Sequence, residues 1–128
     1  MSLVTPLNRV LGLGTAKGAA EHWWHQRLTA VALVPLALWF ALGLLTLPDF
    51  SYLTVAGWVH RPVTSVLLIL FVAAAAYHSF LGVQVVVEDY VTGKGSRVAA
   101  LMASAFAHTG LTVAAVFSIL KIAFGSVQ

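Results

Sequence analysis

The 128-residue chain has no cysteine and few charged side chains. The lack of cysteine excludes a disulfide framework, a thiolate zinc site, a cysteine-ligated iron–sulfur cluster, covalently attached haem and a thiol nucleophile. Seven Lys and Arg and four Asp and Glu make up 9% of the chain, against about 25% in soluble domains. So few charges cannot cover the surface of a soluble fold of this size.

Apolar residues dominate what is present. They make up 60% of the chain, against roughly 45–50% in ordinary globular proteins, and the mean hydropathy is +0.94. The sequence therefore predicts an integral membrane protein. Lys and Arg form no run of five or more, so we expect no nucleic-acid partner. The length suits one domain, and we predict a single membrane domain over residues 1–128.

Three segments are long and apolar enough to cross a bilayer core of roughly 30 Å. They cover residues 28–47, 63–87 and 98–124. We predict an all-α membrane protein with three transmembrane helices and an N-terminal tail over residues 1–27. That tail lacks the apolar core of a cleavable signal peptide, so we expect none.

The distribution of basic residues predicts the orientation of the chain. Five of them flank the spans on one side: Arg9, Lys17, Arg27, Lys94 and Arg97. Arg61 and Lys121 flank the other side. Because Lys and Arg concentrate in cytoplasmic flanks, we expect a cytoplasmic N-terminus in a multi-pass protein of the bacterial inner membrane. Tyr52 and Trp58, in the opposite loop, are typical interface residues.

Two histidines lie within the predicted spans, and an ionisable residue in a membrane is a functional candidate. His78 and His108 both lie roughly 14–15 Å from the cytoplasmic ends of their helices. His78 shares its helix face with the small residues Ala74, Ala75 and Gly82. These residues either permit close helix packing or open a slot for a flat macrocycle.

His108 has polar neighbours one turn away on either side. Ser104 precedes it and Thr112 follows it at helical spacing. This pattern favours an interhelical histidine with its hydrogen bonds satisfied.

A second group of polar residues lies at the cytoplasmic boundary. Residues 21–27 precede the first span, and Glu88, Asp89 and Tyr90 end the second. Antiparallel neighbouring helices bring both groups to the same membrane face. They are either interface anchors or a shallow pocket for a quinone head group, with donors for its carbonyls and a proton route from the aqueous side.

These residues resemble a known pattern. Residues 78–91 resemble the H-x3-G-x6-D-Y signature of the small hydrophobic membrane anchor of succinate dehydrogenase, respiratory Complex II. Residues 22–30 are similar to the H-W-W-x-Q-R-x-T-A opening of alphaproteobacterial and mitochondrial-type members. The match is to the smaller of the two membrane anchors of that complex, and the resemblance extends over nearly the whole chain.

The resemblance implies a role for each matching residue. His78 would be an axial ligand of the haem b iron, with the second ligand on a partner anchor, the cytochrome b subunit. Tyr90 would hydrogen-bond ubiquinone, with support from Asp89. Three more residues would form a haem-propionate or quinone pocket: Arg27, His22 and His25. His78 and Asp89 are about 20° apart around the helix and roughly 16 Å apart along it, so both sites can share one face.

The resemblance also implies the activity and the partners. The chain would help to form a ubiquinone-reduction site, which receives electrons from succinate through the iron–sulfur subunit. It would pack in the lipid membrane with the second anchor and join the iron–sulfur and flavoprotein subunits. It would have no catalytic residue and no succinate activity alone.

Three alternatives remain open at this point. Ala74-x-x-x-His78 matches the A-x-x-x-H spacing of antenna proteins that ligate chlorophyll. His78 and His108, at matching depth, could hold a haem within one chain. A non-catalytic assembly subunit would use all its histidines structurally.

Overall fold

The computed structural model describes the backbone of residues 16–125 and the side chains of residues 20–125. Within that part of the chain there are four helices and no strand: α1 (Ala16–Leu45), α2 (Tyr52–His60), α3 (Pro62–Tyr90) and α4 (Lys94–Phe124). Three segments are long and apolar enough to cross a membrane: Ala20–Leu45, Pro62–Tyr90 and Lys94–Phe124. The prediction of an all-helical protein with three membrane spans is confirmed.

The long helices continue beyond the predicted apolar spans, most of all at the start of α1. Residues 16–27, predicted as part of a tail, belong to this helix, because Ala, Glu and Gln favour helix as strongly as apolar residues do. The rest of the predicted tail, residues 1–15, lies outside the described residues. Pro35 lies inside α1 and is tolerated in a membrane helix.

The loop between the first two spans contains the short helix α2. Ser51 caps its N-terminus, and the Ser51 side chain accepts a hydrogen bond from the Thr54 backbone amide at 3.4 Å. Asp49 Oδ1 accepts a hydrogen bond from the Ser51 backbone amide at 2.9 Å. The Ser51 side chain, the Thr54 side chain and the Ser51 backbone hold the pKa of Asp49 below its usual 3.8. The cap therefore works best with Asp49 ionised.

Helix α3 occupies the centre of the structure. Helices α1 and α4 both pack against α3, α2 packs against α3 and α4, and α1 and α4 do not pack together over residues 16–125. Thr29 contacts His78, whereas Phe40 stacks on Phe71 with ring centroids 5.0 Å apart, so α1 and α3 are antiparallel. One end of the structure, termed the polar end, therefore contains the start of α1, the end of α3 and the start of α4.

An aromatic cluster joins α2 to α1 at the other end. Trp58, predicted as an interface residue, stacks on Trp39 with ring centroids 5.8 Å apart. A Cβ atom at Gly43 would lie 2.7 Å from Trp58 Cζ2, which is closer than real Cβ contacts allow. The missing side chain at Gly43 therefore lets the indole approach α1. Tyr52 is 73% exposed, as an interface residue would be.

The buried core is small and lies mostly where α2 meets α3. Among residues 20–125, six are buried: Ala56, Val59, Thr64, Ser65, Leu68 and Leu81. Many large apolar side chains on all three long helices are exposed. A surface this apolar is suited to contact with lipid or with other membrane helices.

Candidate functional site

Three polar side chains of α1 lie on one helix face opposite His78. His22, Gln26 and Thr29, termed the polar row, are spaced by four and three residues and are all half-buried. Thr29 Oγ1 lies 2.9 Å from His78 Nδ1. Gln26 Nε2 lies 3.5 Å from His78 Nε2. Both ring nitrogens of His78 therefore face α1.

The polar row contains two buried atoms without a hydrogen-bond partner among the described residues. They are His22 Nε2 and Gln26 Oε1. A buried polar atom without a partner costs roughly 1–3 kcal/mol, so native proteins rarely keep one without a reason. These two atoms mark the polar row as a place where a further polar group can bind.

Gly82 lies one turn after His78 and also faces the polar row. A Cβ atom at Gly82 would meet Gln26 Nε2 at 3.7 Å, an ordinary contact distance. The small residues near His78 were expected either to allow close helix packing or to open a slot for a macrocycle. At Gly82 the structure shows close helix packing. The slot on this side of α3 is occupied by Gln26.

The other predicted residues of α1 lie around the polar row without joining it. His25 Nε2 lies 3.9 Å from Glu21 Oε1, and its ring meets the Tyr77 ring edge-on at 6.1 Å between centroids. The exposed Arg27 guanidinium lies 5.7 Å from the Trp23 ring centroid. Arg27 points about 140° away from His22 around the helix, so it lies on another face of α1.

Asp89 and Tyr90 lie at the polar end, on the last turn of α3. Tyr90 is 82% exposed, and Asp89 is exposed as well. Their side chains make no hydrogen bond within the described part of the chain, whereas the neighbouring Glu88 accepts one from Gln84 Nε2 at 2.9 Å. The start of α1 and the end of α3 thus lie at the same end of the structure, as expected. Asp89 and Tyr90, however, make no hydrogen bond to the polar row in the described part of the chain.

His108 belongs to a different interface, between α3 and α4. Its Nδ1–H donates to the Ser104 carbonyl oxygen at 2.8 Å, and its Nε2 accepts from Ser79 Oγ at 3.2 Å. The predicted interhelical histidine is confirmed. His78 faces α1, whereas His108 on α4 bonds to Ser79 on α3, so their contacts do not support a haem held between them. A cavity of about 380 Å³ beside His108 is lined by apolar residues together with Ser79 and Thr112.

Comparison with known proteins identifies the family. The model of the succinate dehydrogenase/fumarate reductase transmembrane subunit family matches residues 1–119. The chain belongs to this family.

Three relatives show how far the similarity of this anchor subunit extends. The succinate dehydrogenase hydrophobic membrane anchor subunit of Paracoccus denitrificans is 28% identical over 127 residues, which cover 99% of this chain and 98% of the relative. The protein of that name from Rickettsia bellii is 35% identical over 79 residues, 62% of this chain and 63% of the relative. The succinate dehydrogenase membrane anchor subunit of Reclinomonas americana is 27% identical over 88 residues, 66% of this chain and 73% of the relative. No solved structure matches the chain.

Two residues of the anchor that contact His78 were not predicted as site residues. Gln26 and Thr29 both lie in the nine-residue motif that begins at His22. Their positions at helical spacing from His22 in an apolar helix are the signal that could have identified them. Only the helix register of α1 against α3 reveals that this face meets His78.

Proposed function

We propose that this succinate dehydrogenase anchor supplies His78 as one axial ligand of haem b and, with Asp89 and Tyr90, part of a ubiquinone-reduction site. One observation carries the haem proposal: a mid-helix imidazole lies beside a polar row that holds two buried, unpartnered polar atoms. Polar groups placed in a membrane helix usually have a functional partner.

A haem iron would reach His78 at Nε2, once the Gln26 side chain has moved aside. His78 Nδ1 is occupied by Thr29, while Nε2 has only the 3.5 Å contact with Gln26. Rotation of the Gln26 side chain frees Nε2 and gives the unpartnered Oε1 a new position. Haem b, when bound, supplies a one-electron redox centre.

The second axial ligand would come from another chain. Within residues 20–125, no group of three or more His, Cys, Asp or Glu side chains could hold a metal ion. A metal at His78 would then be held by the porphyrin nitrogens and by one ligand from another chain. The second membrane anchor is the natural source. His22, on the face of the polar row and nearer the polar end, would meet a propionate, and His25 and the exposed Arg27 would border the pocket from neighbouring faces of α1.

Asp89 and Tyr90 would act on the quinone at the polar end. The Tyr90 hydroxyl donates a hydrogen bond to a quinone carbonyl oxygen, and the Asp89 carboxylate passes protons from the aqueous side. Both side chains lack hydrogen-bond partners in the described chain and Tyr90 is largely exposed, so a facing subunit completes the pocket. The iron–sulfur subunit, which receives electrons from the flavoprotein subunit, would lie on this side of the bacterial inner membrane.

A reduced-minus-oxidised optical spectrum of the purified complex tests the haem ligand. We expect a b-type spectrum in the wild type, its loss or shift in His78→Ala, and an unchanged spectrum in His108→Ala. His108 is the matched control, because it is a second histidine at similar depth whose ring nitrogens bond elsewhere. An unchanged spectrum in His78→Ala would contradict the assignment. Far-red absorption would instead favour a chlorophyll-type pigment, and no chromophore would favour an assembly subunit.

A further inference from the structure

Thr29 Oγ1 has three close neighbours that compete for one hydroxyl proton. The carbonyl oxygens of His25 and Gln26 lie 2.9 Å and 3.1 Å away on α1, and His78 Nδ1 lies 2.9 Å away on α3. A carbonyl oxygen can only accept a hydrogen bond, whereas an imidazole nitrogen can donate or accept. These distances suit a Thr29 hydroxyl that donates to the backbone of α1 and a His78 Nδ1–H that donates to Thr29 Oγ1.

The second ring nitrogen of His78 agrees with this direction. Gln26 Nε2, an amide nitrogen that can only donate, lies 3.5 Å from His78 Nε2. With the Gln26 amide in this orientation, His78 Nε2 is the acceptor and carries a lone pair. The contacts on the two sides of the ring agree with the same neutral tautomer, with the proton on Nδ1.

We propose that Thr29 is a positioning residue that holds His78 as the Nδ1-protonated tautomer and presents the Nε2 lone pair to a metal. This inference rests on the proposed ligation of haem by His78. The hydrogen bond made by one ring nitrogen determines which nitrogen binds metal. It also fixes the ring orientation and strengthens the imidazole as an electron donor to the iron.

The threonine of the motif thus acts through a histidine on another helix. The Thr29 hydroxyl is hydrogen-bonded to backbone carbonyl oxygens of α1. These bonds restrict the side chain to one rotamer and so fix the position of the hydroxyl. The loss of such an outer hydrogen bond typically weakens metal binding roughly 10- to 100-fold. A weaker donor also stabilises the ferric iron less, so the haem potential rises.

The test uses the purified complex with Thr29→Val, which keeps the branched shape and removes the hydroxyl. We expect roughly 10- to 100-fold weaker haem retention, an altered low-spin electron paramagnetic resonance signal and a more positive haem midpoint potential. Thr29→Ser, which keeps the hydroxyl, should restore all three. Thr112→Val is the control, because the Thr112 hydroxyl also bonds to its own helix, at the His108 carbonyl, and does not contact His78.

Wild-type haem retention, resonance signal and potential in Thr29→Val would overturn the proposal. Should that variant fail to assemble, Thr29→Ala replaces it, because alanine lacks the hydroxyl and is too small to clash. A failure of Thr29→Ser to restore the signal would assign the effect to packing of the methyl group and would also overturn it. His78→Ala, measured alongside, separates the two proposals: if it keeps the wild-type spectrum, haem ligation itself fails, and if it loses the spectrum while Thr29→Val does not, only the role of Thr29 fails.

Discussion

Tyr90 ends α3 with its phenol exposed and without a hydrogen-bond partner in the described chain. In Tyr90→Phe the proposed donor to the quinone carbonyl is lost. A neutral hydrogen bond contributes about 1 kcal/mol, so we expect kcat/KM for quinone to fall roughly 3- to 10-fold. Steady-state quinone reduction by the membrane complex measures this.

Tyr52→Phe is the matched control for that measurement. Tyr52 is another exposed tyrosine, at the opposite end of the structure, and its variant should keep wild-type quinone kinetics. Equal quinone kinetics in the Tyr90→Phe and wild-type complexes would remove Tyr90 from the site.

At the residue scale, the sequence singles out candidate positions but does not give their contacts. His78 could be found because a histidine in an apolar span is costly and therefore conspicuous. Gln26 and Thr29 could not be assigned to it, because the rotation of α1 relative to α3 depends on packing between distant residues. Phe40 against Phe71 and Gln26 against Gly82 are such contacts.

The packing of α2 on α1 depends on the absence of a side chain at Gly43. In Gly43→Ala the new Cβ would lie 2.7 Å from Trp58 Cζ2, so the indole has to move. Overpacking of this kind typically costs about 1–3 kcal/mol. We expect a lower thermal unfolding temperature for the purified complex.

Gly57→Ala in α2 is the control for Gly43→Ala. A Cβ atom at Gly57 meets nothing within 4 Å, and alanine favours a helix over glycine by roughly 0.5–1 kcal/mol. Stability should therefore stay equal or rise in Gly57→Ala. Equal stability of Gly43→Ala and the wild type would show that Trp58 can move aside at no cost.

The stability of the N-terminal cap of α2 should depend on pH. The pKa of Asp49 is lowered in the folded protein, chiefly by the Ser51 side chain. A lowered pKa stabilises the fold above the usual value of 3.8, and this contribution is lost as the pH falls through the folded pKa. Carbon-13 resonances of the Asp49 carboxyl in a selectively labelled complex should titrate below pH 3.8. In Ser51→Ala the midpoint should move back towards that value, and an unmoved midpoint would show that the Ser51 side chain does not lower the pKa.

Helices could be predicted from the sequence only where the length of an apolar segment determines them. The three long helices were predicted, because about 20 apolar residues are needed to span a bilayer. Helix α2 was not, since its nine residues are too few for hydropathy to separate a helix from an interface loop. The extension of α1 over residues 16–27 was missed for a similar reason: its polar side chains lower the hydropathy without opposing helix formation.

For the whole molecule, the charge distribution predicts that the polar end faces the cytoplasm. The natural chain has no cysteine, so a single introduced thiol reports its own side of the membrane. Phe50→Cys, in the exposed loop before α2, should react with a membrane-impermeant maleimide in intact spheroplasts. Thr92→Cys, exposed between α3 and α4, should react only after permeabilisation. The opposite pattern would reverse the predicted orientation.

The number of spans was predictable for the whole molecule, but their arrangement was not. Hydropathy carries no information on which helix lies in the middle. That arrangement depends on pairs such as Thr29 with His78 and His108 with Ser79, which are separated by dozens of residues. The small core and the exposed apolar faces likewise reflect surfaces whose partners lie outside this sequence.

The central position of α3 affects the order in which helix contacts form during synthesis of the chain. Helix α1 leaves the ribosome first and has no long helical neighbour until α3 follows, because α1 and α4 do not pack together in the described structure. During that interval His22, Gln26 and Thr29 lack their neighbours on α3. Arrival of residues up to Tyr90 completes the contact with His78. The contact between His78 and its polar surroundings can thus form in the nascent hairpin of α1 and α3 before α4 has left the ribosome.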